Sequence, residues 1–176
     1  MLRIATRSSE LALWQANHVA DLLSRADPDV DVEILPVSTE GDRRTDVPLS
    51  LIGGKGVFAK EVQAAVLAGE ADLAVHSAKD LPALTPSGLV VAGVPRRGDP
   101  RDALVGSRLD QLGEGDVVAT GSARRRVQLA HQVHGLRFAE LRGNMATRLS
   151  KAQDFTAIVV AAVALERLGL AEHIAD

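Results

Sequence analysis

The stretch Asp72 to Pro82 reads D-L-A-V-H-S-A-K-D-L-P, and it decides how the rest of the chain is read. Leu73 to Val75 is a short apolar run, the mark of a buried strand. The run stops at His76, Ser77, Lys79 and Asp80, and Pro82 bars it from continuing in a central ladder. Polar side chains bunched just past the C-terminal end of a buried strand are where open α/β sheets hold ligands. Lys79 and Asp80 put opposite charges within reach of one bound molecule. A polar turn carrying a solvated ion pair fits the same residues about as well.

On the N-terminal side, Leu2 to Thr6 reads as a first strand, and a helix starts near Glu10 with Ser8 or Ser9 as its cap. Leu11, Trp14, Val19, Leu22, Leu23 and Ala26 give that helix one apolar face, with the single Trp as a core residue. Arg7 falls at the strand-to-helix turn, beside free backbone N–H groups. It is either an anion site or a solvated turn residue. Val30 to Val37 alternates with period 2 and reads as a second strand. Thr39 to Pro48 reads as a mobile loop. Gly53-Gly54-Lys55-Gly56 lacks Walker A spacing and serves equally as a hinge. A helix is expected from about Val57 to Ala68, with Phe58, Val62, Ala65 and Val66 inward.

On the C-terminal side, Leu89 to Val94 reads as a fourth strand. Pro95 to Pro100 is a charged, rigid linker. The domain boundary falls there, giving domains 1–95 and 96–176. In the second half, strands are expected at Asp102 to Val105, Val117 to Thr120, Arg137 to Leu141 and Thr156 to Val163. Helices are expected at Ala123 to Val133, capped by Ser122, at Met145 to Lys151, and from Leu165. Arg124, Arg125 and Arg126 fall in the first turn of a helix, where positive charge opposes the dipole. Such a sequence needs cations aimed at something anionic. Strands alternating with helices in both halves indicate two α/β domains with largely parallel sheets. Arg, Lys and Ser fall at strand ends in each half, so a guanidinium-lined cleft between the two is expected.

Composition narrows the function. The chain has 176 residues, 46% of them hydrophobic, which is enough for a core. Aromatics are 2%, against a base-stacking platform. There is no cysteine, which excludes disulfides and thiol nucleophiles, and the five His show no metal-ligand spacing. A net charge of −3 argues against a general nucleic-acid binder. Basic groups nevertheless outnumber acidic ones from Gly121 onward, and Arg far outnumbers Lys. Arg is the residue suited to a bidentate grip on carboxylate or phosphate. The chain begins on a strand-like L-R-I-A-T rather than a signal peptide, and no apolar run approaches the roughly 20 residues of a membrane span. A cytoplasmic protein is the expectation.

Several motifs, in order, carry a resemblance. They are I-A-T-R-x-S-x-L-A-L-W-Q at Ile4 to Gln15, T-x-G-D at Thr39 to Asp42, and G-G-K-G-x-F at Gly53 to Phe58. A-V-H-S-x-K-D-x-P follows at Ala74 to Pro82, then D-P-R-D-A at Asp99 to Ala103 and T-x-S-x-R-R at Thr120 to Arg125. L-R-G-N-x-x-T-R-L at Leu141 to Leu149 and R-L-G-L at Arg167 to Leu170 complete the set. The chain resembles the hydroxymethylbilane synthase family, also called porphobilinogen deaminase.

The resemblance implies two doubly wound three-layer α/β domains, similar to type 2 periplasmic binding proteins, with a cleft between them. It implies a transferase of tetrapyrrole (haem, porphyrin) biosynthesis. That enzyme condenses four porphobilinogen molecules into the linear tetrapyrrole hydroxymethylbilane on a dipyrromethane cofactor, releasing ammonia at each step. Each pyrrole carries an acetate and a propionate, so the arginines suit a polycarboxylate. By resemblance Arg7, Arg124, Arg125, Arg142, Arg148 and Arg167 hold those carboxylates. Ser9, Lys55, Ser77, Thr120, Ser122 and Asn144 assist. Asp80 is the catalytic carboxylate, with Lys79 beside it, and stabilises the cation formed when the amine leaves.

The sequence also departs from the family. The cysteine-bearing third domain that anchors the cofactor, and a segment returning to the first domain, are missing from it. Smaller departures are Gly121, Ala123, Ala146 and a shortened Ala152 to Thr156 turn. The reading is the substrate-binding and catalytic N-terminal part of the enzyme, inactive alone, with a separate chain as one source of the third domain. The alternative is a cofactor-less binding module or pseudoenzyme that captures a small polycarboxylate. Neither nucleic acid nor membrane is an expected partner.

Overall fold

A computed structural model describes residues 1–43 and 56–176. The fold divides into two compact units, Met1–Arg96 and Arg97–Asp176.

The first unit is built on a parallel sheet of three strands, β1 (Leu2–Arg7), β2 (Val32–Val37) and β3 (Leu73–Ala74), in the order β2-β1-β3. The central strand β1 carries the fully buried Ile4, Ala5 and Thr6. Its successive side chains point to opposite faces. On one face Ala5 packs with Val62 and Ala65 of helix α3 (Lys60–Leu67). On the other, the Thr6 hydroxyl donates to the Ala12 carbonyl of helix α1 (Glu10–Ala26) at 3.3 Å. Ser9 is the cap of α1, its Oγ accepting from the Ala12 N–H, and Glu10 in the first turn suits the dipole. The apolar face expected on α1 is only partly covered. Ala16 is its one buried residue, Leu22 is exposed, and Trp14 is half-buried and stacked on His18. A three-stranded sheet whose third strand pairs over two residues offers a 17-residue helix little surface to pack against.

Two expectations fail in this unit. The loop expected from Thr39 begins instead with a short helix, α2 (Glu40–Arg43), and Thr39 is fully buried. Leu89 to Val94 forms no strand, and Val90 and Val94 are about four-fifths exposed, at 82% and 80%. An apolar, β-branched run shows that a segment fits a sheet, not that a neighbour exists for it. Among the described residues no strand pairs with it.

The second unit holds a four-stranded sheet of β4 (Asp102–Val105), β5 (Val117–Ala119), β6 (Arg137–Ala139) and β7 (Ala157–Ala161), in the order β4-β7-β5-β6. Strands β5, β6 and β7 are parallel, whereas β4 runs antiparallel to β7, so the sheet is mixed. The sequence held a sign of this. Only a single 3₁₀ turn, Leu109–Gln111, lies between β4 and β5, and parallel crossovers ordinarily carry a helix. Helix α4 (Ala123–Gln132) covers one face through Leu129, with Val133 just beyond it. Helices α5 (Met145–Ser150) and α6 (Ala162–Arg167) cover the other through Met145, Leu149 and Leu165. Alternation along β7 sends Ile158 and Val160 to the second face and Ala157 and Val159 to the first. Helix α6 begins at Ala162, inside the segment read as strand to Val163. Ala175 and Asp176 hydrogen-bond with Leu104 along the outer edge of β4. Among the described residues no helix is long and apolar enough to cross a membrane.

Candidate functional site

In the first unit β1 and β3 lie side by side, with Ala5 opposite Ala74. Their C-terminal ends therefore deliver Arg7 and the His76-Ser77 pair to the same rim of the sheet. A 3₁₀ turn, Ala78–Asp80, follows, and its Asp80 N–H donates to the Ser77 carbonyl at 2.9 Å. A small pocket there is lined by Arg7, Ala12, Gln15, Phe58, Val75, His76, Ser77 and Asp80.

Arg7 is neither an open anion site nor a solvated turn residue. Its Nε donates to Asp42 Oδ2 at 3.1 Å, and its Nη2 pairs with Asp42 Oδ1. Its Nη1 lies 3.8 Å from Asp80 Oδ2, and its guanidinium carbon sits 4.2 Å above the centre of the Phe58 ring. This is a bidentate fork on one carboxylate with a second carboxylate and an aromatic face beside it. Burial pushes the Asp42 pKa up, but hydrogen bonds from Arg7 and Thr39 outweigh it and hold the group below its ordinary value. The Thr39 hydroxyl donates to Asp42 Oδ2 at 2.7 Å. Gly41 is needed because a Cβ there would run into the Phe58 ring.

His76 faces the same pocket. Burial lowers its pKa, the Asp80 carboxylate opposes that, and Arg7 adds to it, leaving the net value below 6.5 and the ring neutral near pH 7. Its Nε2 is buried and has no hydrogen-bond partner among the described residues. The Ser77 hydroxyl donates to Gln15 Oε1 at 2.9 Å. Lys79 is exposed, and the ion-pair partner of Asp80 among the described residues is Arg7 rather than Lys79.

In the second unit the arginines sit past the ends of β5 and β6. Arg124 is exposed, 3.5 Å from Asp102 and 3.2 Å from Gln128. Arg125 is largely buried, donating to Asp102 Oδ1 at 2.6 Å and to the Val159 carbonyl at 3.0 Å, with its Nε buried and unpartnered among the described residues. Arg126 turns back onto strand-end carbonyls and Glu140. The anions that this cluster called for therefore include carboxylates of the chain itself.

Thr120 is buried, its Oγ1 accepting from the Ser122 N–H at 3.2 Å. Ser122 caps α4 through the Arg125 N–H. Arg142 is half-buried, and its Nη1 is buried without a partner among the described residues. Asn144 caps α5, accepting from the Thr147 N–H and hydroxyl at 2.9 Å each. Arg148 donates to the Gly143 carbonyl at 2.9 Å. Arg167 ends α6.

The expected residues of the first unit come together in part. Arg7, Ser77 and Asp80 share the first pocket, while Ser9 caps a helix and Lys55 lies outside the described residues. Gln15, Thr39 and Asp42 join that rim, and Asp102 and Glu140 join the second, without having been assigned a role from sequence, while His76 and Arg126, noted there for their polar and cationic settings, and Phe58, read as a core residue, join them too. Gln15, Asp42 and Phe58 each close one of the quoted motifs, which is the signal that could have found them.

The family model described as porphobilinogen deaminase, dipyromethane cofactor binding domain, matches residues 2–176. The porphobilinogen deaminase of Syntrophotalea carbinolica is 48% identical over 180 residues, covering 99% of this chain and 57% of that protein. Those of two Legionella pneumophila strains, Paris and Lens, are 48% identical over 179 residues, covering 99% of this chain and 58% of each relative. The chain spans less than two thirds of the length of these curated relatives.

Proposed function

This chain belongs to the porphobilinogen deaminase family, and from that premise we propose that it binds porphobilinogen and oligopyrrole polycarboxylates and supplies the catalytic carboxylate for their condensation with loss of ammonia. The observation that carries the reading is Asp80, a half-buried carboxylate lining a pocket with a guanidinium, a neutral imidazole and an amide. A fixed negative charge there stabilises the cation that forms as the amine departs, and its oxygens accept the pyrrole N–H. Neutral His76 adds no charge to oppose that cation. Arg124, Arg125, Arg142, Arg148 and Arg167 supply donors for acetate and propionate groups. The N–H groups of Arg142 and Arg125 that are buried without a partner among the described residues support this, since an unmet buried donor costs about 1–3 kcal/mol, more when charged, and a carboxylate meets it. The likeness to type 2 periplasmic binding proteins and a cytoplasmic setting belong to the same reading.

The donor set also fits the dipyrromethane group named in the family model's description. Its carboxylates are what Arg142, Arg148 and Arg125 would hold, and when bound it supplies the pyrrole carbon to which substrate is joined. The sequence contains no cysteine, so no thiol of this chain can anchor it. The same arginine donors also fit a second reading, a polycarboxylate-binding module without turnover. Intact-mass spectrometry after exposure to porphobilinogen separates the two. The enzymatic reading expects no covalent increment and no product from this chain alone, and product once a polypeptide carrying the family's third domain is added. The binding-module reading expects no product in either case.

Asp80→Asn tests the catalytic role. Asn keeps the shape and one acceptor but loses the charge. Ligand affinity is expected to stay close to that of the unaltered chain. Turnover in the reconstituted form is expected to fall by about 10²–10³, the scale of a lost electrostatic stabiliser. Turnover near normal would make Asp80 a structural partner of Arg7.

A further inference from the structure

We infer that Arg126 is a positioning residue that staples together the two turns carrying the anion-binding side chains of the second unit, and that Glu140 holds it there. The proposed function enters only in what those turns bind; the staple itself rests on contacts.

Arg124, Arg125 and Arg126 are consecutive, yet their guanidinium groups go to different places. Arg126 turns back over the sheet. Its Nε and Nη2 donate to the Thr120 carbonyl at 3.1 and 2.9 Å, Nη2 reaches the Ala139 carbonyl at 3.5 Å, and Glu140 pairs with the same Nη2. Ala139 ends β6, and Thr120 directly follows β5, the adjacent parallel strand. The Thr120 N–H donates to the Ala139 carbonyl at 2.9 Å. One guanidinium therefore binds the last carbonyl of β6 and the carbonyl just past the end of β5.

What leaves those two ends is the candidate site. Gly121-Ser122 runs from β5 into α4 and its arginines, and Leu141-Arg142-Gly143 runs from β6 into α5. The turns are packed closely, because a Cβ at Gly121 would lie 3.1 Å from the Leu141 carbonyl oxygen. Glycine at position 121 lets the turns approach, and Arg126 fixes how far apart they stay. The separation matters because donors for one carboxylate must be held to within about 0.5 Å of a productive geometry.

Arg suits this task where Lys does not. Its planar fork serves two carbonyls and a carboxylate together, while an ammonium is a point charge. The acceptors also offset the unfavourable placement of a cation in the first turn of α4. With Nε and Nη2 engaged by the protein, Arg126 acts on the ligand through the turns.

The test uses the 176-residue chain and the variants Arg126→Ala, Arg126→Gln, Arg126→Lys and Glu140→Gln. Two quantities are measured: amide hydrogen exchange at 122–124 and 141–143 without ligand, and calorimetric affinity for porphobilinogen at low and high salt. Arg126→Ala is expected to speed exchange in both turns and to weaken affinity by about tenfold or more, the scale of one lost charged hydrogen bond. Its salt dependence is expected to match that of the unaltered chain, because no ligand contact is removed. Arg126→Lys should restore part of both effects, and Glu140→Gln should move both the same way by less. If Arg126→Ala fails to fold, Arg126→Gln, which keeps a donor for the Thr120 carbonyl, and Arg126→Lys carry the comparison. Unchanged exchange in both turns overturns the inference. So does weaker affinity with a shallower salt dependence and unchanged exchange, which would make Arg126 a ligand contact. If the unaltered chain binds no porphobilinogen, the functional reading fails, and the staple is judged on exchange alone.

Discussion

Three side chains of the first unit tie its stability to pH. His76 has a folded pKa below its ordinary 6.5, with burial as the largest cause. The unfolded chain therefore takes up this proton more readily, so stability rises with pH and falls as pH drops below about 6.5. Asp42 and Asp72 act lower on the scale. Hydrogen bonds from Arg3, led by that from its side chain, hold Asp72 down to about 2. The stability Asp72 contributes is present above its ordinary 3.8 and is lost as pH falls through about 2. Asp42 is lowered too, against its own burial, and behaves in the same direction. Urea unfolding of the chain from pH 8 to pH 4 should show a decline starting near pH 6.5 that His76→Gln flattens. A decline of equal slope in that variant would assign it elsewhere.

Local signals carry the elements well. Ser9, Ser122 and Asn144 each accept the hydrogen bond that their position before a helix calls for. The strand at Asp102 to Val105 has the bounds its apolar run gives. What depends on a neighbour is less legible. Leu89 to Val94 has the composition of a strand and no ladder, and β4 runs against the direction that alternation alone suggests. The arginine cluster shows the same limit at the site. Its cations are placed by sequence, but Asp102 and Glu140 are chosen by the fold, 22 and 14 residues away from Arg124 and Arg126. Glycine spacing, by contrast, is informative once geometry is known. Gly143 has φ 109°, and a Cβ there would lie 2.7 Å from the Thr147 Cβ. Gly143→Ala is expected to destabilise the second unit by about 1–3 kcal/mol, the cost of a non-glycine residue in such a conformation. Unfolding monitored in the second unit checks this, and an unchanged midpoint would mean that the turn relaxes without cost.

At the scale of the whole chain, each unit gathers polar side chains at its own strand ends. The first contributes Asp80 with Arg7 and His76, and the second contributes Arg142 with its neighbouring arginines. Family membership and a 46% hydrophobic composition rich in Ala, Val and Leu agree with an α/β scaffold. The motifs made the residue types legible, but the engagement of Arg7 by Asp42 required the fold. That contact makes Arg7 a tethered cation, and it leaves Arg142 as the clearer test of ligand binding. The most direct measurement is calorimetric titration of porphobilinogen into the chain, the Arg142→Ala variant and the Arg142→Lys variant. Binding by the unaltered chain is expected, weakened about tenfold or more in Arg142→Ala, with partial recovery in Arg142→Lys because the planar fork is lost. No binding by the unaltered chain, or equal affinity in all three, would contradict the assignment of its arginines to a polycarboxylate ligand.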